Sequence, residues 1–468
     1  MPTRSATLSH PSQAGLLRRY SAVREATLAF AAPLTPEDMM VQSCAEASPV
    51  KWHLAHTSWF FETFVLTPYV AGYTVFHPDF KWLFNSYYNS LGEMPEKKLR
   101  SSFSRPPLDA ILAYRTHVDA AMNGLLGSGM GEHADEIVRR VALGLEHEQQ
   151  HLELIATDIK HAFFTNPLHP AYREGSQAVP GGAAPKPGFT SFDGGLAQIG
   201  ITPDKDNPPV FAFDNETPEH TVYLHPYALA NRLVTAGEYL GFLNDNGYTR
   251  PELWLSEGWS TMRAEGWEAP LYWRRDSAAP SGWSVFTLEG FAPLDTLLDT
   301  PVCHLSFFEA DAFARWAGCR LPTEFEWENA AKSLETLIRA GGSGPELVSV
   351  QTMPNQTARV GTKANLLERG NLHTVAAEPV SSLQQMFGDV WEWTSSGYTG
   401  YPGYRPLPGA LGEYNGKFMS SQVILRGGSC VTPATHIRAT YRNFFPPGTR
   451  WQFSGLRLAK NLPAASAS

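Results

Sequence analysis

Cysteine is scarce. Four residues in 468 (Cys44, Cys303, Cys319 and Cys430) are scattered along the chain and form no CxxC pair. That excludes a disulfide scaffold and makes a reducing, cytoplasmic location the expectation. Long apolar runs are missing as well. No stretch offers ~20 consecutive apolar residues, so no membrane span is predicted. The first twenty residues carry Arg4, Arg18 and Arg19 with no apolar segment between them, which argues against a secretory signal. Positive charge is not in excess. Lys and Arg total 37 against 46 Asp and Glu, a net charge of −9, and no basic run exceeds two residues. A nucleic-acid partner is therefore not expected.

What is present is the composition of a globular protein: 43% hydrophobic and 18% charged residues. The length suits two large domains or about three ordinary ones. Aromatic residues make up 12%, including 13 Trp, which suits large cores and aromatic-lined pockets for small ligands.

Residues 12–165 read as helical. One helix is predicted over Ser12–Phe30. A second starts at Ser48-Pro49, with Ser as N-cap and Pro at the first helical position. A third covers Pro107–Leu125. A fourth, Ala134–Phe163, has Val141, Leu145, Leu152, Ile155 and Ile159 at helical spacing. The expectation is a four-helix bundle. The connection over residues 67–106 is too long for a plain hairpin, and long loops of this kind are often functional. Residues 166–190, rich in Pro, Gly and Ala, read as a linker. From residue 191 to 462 short strand-like runs alternate with turns, as at Thr221–Leu224 and Val423–Ser429. Two helices intrude, at Thr235–Leu243 and Ser306–Ala317. This second domain reads as α+β, and the fold class is multidomain α and α+β.

The strongest chemical signal is His147-Glu148-Gln149-Gln150-His151 on the fourth helix. Imidazoles at i and i+4 share a helix face and suit one metal ion. The pattern is literally that of zinc proteases, with Glu148 as general base. The rest of that pattern is missing, since Leu154 and Thr157 stand where a metzincin has Gly and His. A third ligand is available on the second helix, which carries His53 and His56. His53 taken alone is expected to be a helix-surface residue.

Lys51–Glu62 (KWHLAHTSWFFE), Phe84–Asn89 (FNSYYN) and His147–His151 resemble the DinB-like domain of the ergothioneine-biosynthesis sulfoxide synthases. The second half resembles the sulfatase-modifying-factor (formylglycine-generating-enzyme) domain, related to C-type lectins. Its landmarks are Phe213–His220, Cys319–Trp327, Gly388–Ser396, Leu425–Ser429 and Arg442–Pro447. The resemblance covers nearly the whole chain in the right order. It implies a DinB-like four-helix bundle followed by a C-type-lectin-like domain that lines the substrate pocket. It also implies a non-haem Fe(II) site. His56 of the Leu-Ala-His element is carried over as a ligand rather than His53, with His147 and His151 completing the set.

The implied reaction joins a cysteine-type thiol to C2 of the imidazole of hercynine (N-α-trimethylhistidine), with O2 supplying the sulfoxide oxygen. Tyr87 and Tyr88 resemble the subgroup whose tandem active-site tyrosines come from this loop. They are the expected catalytic phenols, with Tyr414 as the competing donor. Gln150, Asn443, Phe444, Arg100 and Arg105 are the expected substrate contacts. Asn443 and Phe444 face the betaine, a cation–π role for Phe444, and the arginines face carboxylates. Members that use γ-glutamylcysteine have an acidic residue where Phe445 stands, so cysteine is the expected thiol. Three alternatives stand beside this reading. One is the same reaction with γ-glutamylcysteine. Another is the 5-histidylcysteine sulfoxide synthase of ovothiol biosynthesis, whose chains usually add a methyltransferase domain where only about ten residues follow Leu458. The third is a non-catalytic lectin-like binding protein. Formylglycine chemistry is not expected, because Cys430 has no second cysteine between it and Phe445.

Overall fold

The protein is described by a computed structural model over residues 13–175, 182–202, 211–339, 364–380 and 383–463, with the side chains of 335–339 left aside. Four long helices build the first domain: α1 (Gln13–Ala31), α2 (Val50–Phe61), α3 (Leu108–Ser128) and α4 (Ala134–Thr165). Helices α1 and α2 each pack against both α3 and α4. All twelve residues of α2 are buried, as expected of a helix enclosed on every side. It continues beyond Phe61 through a π-helical turn, Glu62–Leu66. The predicted helices are all found, within three residues at each end; Ser12 lies outside the described residues.

The entry to α2 differs from expectation. Ser48 does not cap it: Pro49 is the N-cap, and no side chain bonds to the first turn. The backbone N–H of Ser48 instead donates to Asp158 on α4, at 2.8 Å. Its hydroxyl accepts from Arg100, also at 2.8 Å. A buried carboxylate and a buried guanidinium have competed successfully for the groups a cap would use.

The close approach of α2 to α4 is set by Gly144. A Cβ there would meet Phe61 Cε1 at 2.6 Å and Phe60 Cε1 at 2.9 Å, so the lack of a side chain lets two aromatic rings fill the interface. The connection between α2 and α3 is broken into short helical turns, among them Phe80–Leu83 and Lys97–Ser102.

Among the described residues of the second domain, twelve short strands form four small sheets. The first, β1 (Phe189–Phe192), begins two residues before the expected domain start. The sheet nearest the site has the order β10 (Asn443–Phe445), β9 (Val423–Arg426), β8 (Trp391–Gly397), β11 (Ser454–Gly455). The two intruding helices have the predicted starts: Thr235 with Glu238, and Ser306 with Glu309, form reciprocal capping boxes. Residues from three landmark segments meet in one buried ion network. Glu324 accepts from Arg442 at 2.9 Å and from Arg426 at 2.7 Å. Burying charge is tolerated here because each partner is neutralised and hydrogen-bonded. Tyr172, in the expected linker, ties the domains together. Its N–H donates to Leu288 and its hydroxyl to the carbonyl of Phe30.

Gly144→Ala should force Phe60 and Phe61 from their positions. Overpacking of this kind costs about 1–3 kcal/mol, to be read as a fall in the denaturation midpoint of the purified protein. An unchanged midpoint would mean that the α2–α4 interface is not close-packed.

Candidate metal centre

Helix α4 presents His147 and His151 one turn apart, with ring centroids 4.5 Å from each other. Helix α2 brings His56 against them. The donor nitrogens of the three lie within 4.8 Å of one another, and Nε2 of His56 is 3.2 Å from Nε2 of His147. His56 is 0% exposed, His147 1% and His151 7%. Burial lowers the pKa of all three, His147 to about 3, and the neighbouring imidazoles push His56 and His151 further down. The rings are therefore neutral and their lone pairs are available. His56 Nδ1 donates to the carbonyl of Phe84 at 2.6 Å, which leaves its Nε2 lone pair facing the cluster. A set of neutral imidazoles suits iron. The triad named from the sequence thus converges, and its donor set fits Fe(II).

Trp52 and Trp59 sandwich His56, with centroids at 4.6 and 5.2 Å and nearly parallel planes. The guanidinium of Arg100 lies over the outer face of Trp52, 3.4 Å from the ring centroid. Arg100 is buried and, among the described residues, has no carboxylate within ion-pair distance. Burial pushes its pKa down to about 9. It is thus a cation beside the triad, and the charge of Asp158 acts on it from beyond ion-pair distance. Arg105, by contrast, is exposed and stays outside this buried cluster.

His53 corrects an expectation. It is not a surface residue but 2% exposed, because α2 is enclosed on all sides. It lies between His151, at 2.7 Å, and Asp158, at 3.0 Å. Glu148 settles the protease pattern. Its carboxylate is buried between Arg24 and Arg115. Burial alone would raise its pKa, but the two guanidiniums outweigh this and hold it down to about 2. It is committed to the bundle core and is not placed as a general base.

Tyr87 and Tyr88 lie side by side rather than on opposite faces, with ring centroids 4.7 Å apart. Asn85 clamps the backbone of Tyr88 in both directions. Tyr88 is fully buried against Trp59 and Phe64, and its hydroxyl has no hydrogen-bond partner among the described residues. Burial raises its pKa well above the usual phenol range.

Tyr414 reaches across from the second domain, its ring 5.5 Å from that of His147. Its hydroxyl donates to Gln150 Oε1. Gln150 Nε2 in turn donates to the hydroxyl of Tyr441 at 2.6 Å, and that hydroxyl lies 3.0 Å from His436 Nε2. His436 Nδ1 meets Glu146. Gln150 is therefore bonded to two phenols of the other domain. Phe444 stacks on Tyr398 at 4.0 Å and reaches Tyr87 through Phe418, with centroids 6.0 and 5.5 Å apart. Asn443 accepts from the N–H of Phe444.

The residues that sequence reasoning missed are Trp52, Asp158, Tyr441, His436 and the buried role of His53. Asp158 had a legible signal, standing seven residues after His151 on the same helix face.

A helical bundle with a buried three-histidine centre, joined to a lectin-like domain, defines a two-domain chain of the sulfatase-modifying-factor class. Residues 176–462 match the "Sulfatase-modifying factor enzyme 1-like domain" and residues 19–155 the DinB superfamily. The chain is 31% identical over 333 residues to hercynine oxygenase of Mycolicibacterium smegmatis, covering 68% of this chain and 71% of that one. It is 35% identical over 262 residues to hercynine oxygenase of Mycobacterium tuberculosis, covering 54% of this chain and 56% of that one. The second of these matches thus spans only about half of its relative. It is also 29% identical over 280 residues to the formylglycine-generating enzyme of Streptomyces coelicolor, covering 54% of this chain and 84% of that one. The chain belongs to the hercynine oxygenase family, whose members are oxidoreductases. No helix among the described residues is long and apolar enough to cross a membrane.

His56→Ala should take the metal content from one equivalent to background, read by elemental analysis after loading with Fe(II). Retention of one equivalent would remove His56 from the ligand set.

Proposed function

We propose that this protein is an Fe(II)- and O2-dependent sulfoxide synthase acting in the cytoplasm. It joins the sulfur of cysteine to C2 of the hercynine imidazole to give hercynylcysteine sulfoxide. The observation that carries the reading is the convergence of three neutral, buried imidazoles in a chain of the hercynine oxygenase family. His56, His147 and His151 would hold the iron. When bound, iron holds a thiol as thiolate by its charge and activates O2.

The remaining work falls to the chain's own side chains. The buried guanidinium of Arg100, fixed by Ser48 and Trp52, is suited to orient a substrate carboxylate. The aromatic group of Phe444, Phe418 and Tyr398 offers faces to a trimethylammonium cation, with Asn443 beside it. Gln150 is placed to orient an imidazole once one of its phenol bonds is exchanged. Trp52, Trp59, Phe60 and Phe64 exclude water. A phenol must then supply a proton or hydrogen atom. The hydroxyl of Tyr414 is already donated to Gln150, whereas the phenols of Tyr87 and Tyr88 interact with each other. This difference supports the Tyr87–Tyr88 pair as the donor.

The Tyr87→Phe/Tyr88→Phe double variant should keep its iron but shift product from the sulfoxide toward cysteine sulfinate, read by mass spectrometry; Tyr414→Phe should be milder. Full sulfoxide output from the double variant with loss in Tyr414→Phe would move the donor to the second domain.

Phe445, packed on Trp451, puts an apolar side chain where γ-glutamylcysteine users have an acid. In aerobic assays with hercynine, cysteine should therefore give the higher kcat/KM. A higher value for γ-glutamylcysteine would reverse the assignment, and no product with either thiol would sink the reading as a whole.

A further inference from the structure

The three imidazoles of the triad are not held alike. His56 Nδ1 donates to a backbone carbonyl, that of Phe84. His147 Nδ1 has no hydrogen-bond partner among the described residues. His151 alone is tied to a carboxylate, and it is tied at one remove. Its Nδ1 lies 2.7 Å from Nδ1 of His53, and Nε2 of His53 lies 3.0 Å from Oδ2 of Asp158. The whole line is buried.

Hydrogen-bond logic fixes every proton along it. An ionised carboxylate only accepts, so His53 carries its hydrogen on Nε2. As a neutral imidazole His53 carries that one hydrogen and no other. Its Nδ1 is then an acceptor. His151 must therefore carry its hydrogen on Nδ1 and donate it, which leaves the Nε2 lone pair of His151 for a metal. Asp158, two hydrogen bonds away from His151, selects the tautomer that makes His151 a ligand.

The same carboxylate also sets the backbone. Oδ2 of Asp158 accepts from Ser48 N–H at 2.8 Å, two residues before the start of α2, the helix that carries His53 and His56. One oxygen atom therefore anchors the entry of α2 to α4 and orients the residue that orients His151. There is an electrostatic reason for such a group here. Three neutral imidazoles bring no negative charge to offset a divalent cation. A histidine ligand hydrogen-bonded toward a carboxylate is a better base, and partners of this kind commonly change metal affinity about 10–100-fold.

We propose that His53 and Asp158 are positioning residues of the metal centre, acting on it through His151 and not as ligands. This rests on the reading of His56, His147 and His151 as a metal site. The sequence feature is His-x2-His on α2 paired with His-x6-Asp on α4, and each half is uninformative alone.

The test titrates the metal-free full-length protein with Co(II) under anaerobic conditions and follows the ligand-field absorption. Asp158→Asn is the informative variant. The bonds from Ser48 and His53 both fall on Oδ2, with only a long one from Thr157, at 3.4 Å, on Oδ1, so the amide oxygen of Asn can keep the first two while the charge is lost. It should weaken Co(II) binding about 10-fold with the stoichiometry unchanged. His53→Ala should weaken it about 10–100-fold. His53→Asn, whose side-chain oxygen can accept from His151 Nδ1–H, should recover part of the loss. Val118→Ala, a buried truncation on α3, calibrates what lost stability alone does to affinity.

If the wild type binds one Co(II) and Asp158→Asn binds as tightly, the relay is overturned. If His53→Ala weakens binding no more than Val118→Ala does, His53 is a packing residue and the proposal falls with it. Absence of stoichiometric Co(II) on the wild type would instead remove the metal site itself, a failure that the variants do not share.

Discussion

Between Glu146 and Glu153 helix α4 has partners on two sides at once. His147 and His151 face the bundle interior and meet α2. Glu146, Gln149, Gln150 and Glu153 face the second domain, where each finds a side-chain partner. Glu146 meets His436 and Arg438. Gln149 accepts from Thr435. Gln150 joins Tyr414 and Tyr441. One oxygen of Glu153 takes three donors, from Trp391 at 2.7 Å, Ser429 at 2.7 Å and Thr432 at 2.9 Å. Burial of these groups is tolerable only while the partners are in place. Breaking such a buried pair from one side typically costs about 3–5 kcal/mol. The docking of the two domains and the orientation of the metal-facing imidazoles are therefore one problem, solved on a single helix.

This constraint gives the landmark residues of the second domain a physical meaning. Ser429 follows Gly427 and Gly428, both at positive φ. A Cβ on Gly427 would meet the carbonyl oxygen of Met386 at 2.7 Å, so glycine allows the turn that delivers the Ser429 hydroxyl to Glu153. Arg426, just before that turn, is locked with Arg442 onto Glu324. The strand that ends in the turn and the strand that carries Asn443 and Phe444 are thus held in one ionic knot. The second domain meets α4 here through these side chains. Its Cys430 is buried and its pKa is driven up by that burial, away from the thiolate form that reacts.

The charges around the triad are unevenly placed. Arg100 supplies a buried positive charge on the Trp52 side, within the influence of Asp158. On the side of Tyr87 the rings of Phe418 and Tyr398 have cations over them, Lys417 at 5.8 Å and Arg442 at 5.3 Å. Low dielectric strengthens both influences. It also keeps the imidazoles neutral, because a positive charge on any of them would be both desolvated and repelled by its neighbours.

Much of the centre was legible in the chain before any coordinates. The i, i+4 spacing of His147 and His151 dictates that they share a face of whichever helix forms, and periodicity over Ala134–Phe163 dictates that helix. The helix starts expected at Thr235 and Ser306 are in place, and each is closed by local chemistry, a reciprocal capping box. Local pattern failed wherever a distant group competed. Ser48 looked like an N-cap, but Asp158 and Arg100, remote in sequence, took its N–H and its hydroxyl. Glu148 stands where a zinc protease has its general base, a reading already disfavoured by Leu154 and Thr157, and Arg24 and Arg115 from two other helices hold its carboxylate. His53 and His56 have the same residue type, lie on the same helix and are three positions apart. Nothing local distinguishes a ligand from the residue that orients one. The sequence by itself determined which residues could bind a metal, since that depends on residue type and helical repeat. Only the tertiary structure brings His56, His147 and His151 within reach of one ion and sets His53 against Asp158, because that depends on which helix presents a neighbouring nitrogen or a carboxylate at hydrogen-bonding distance.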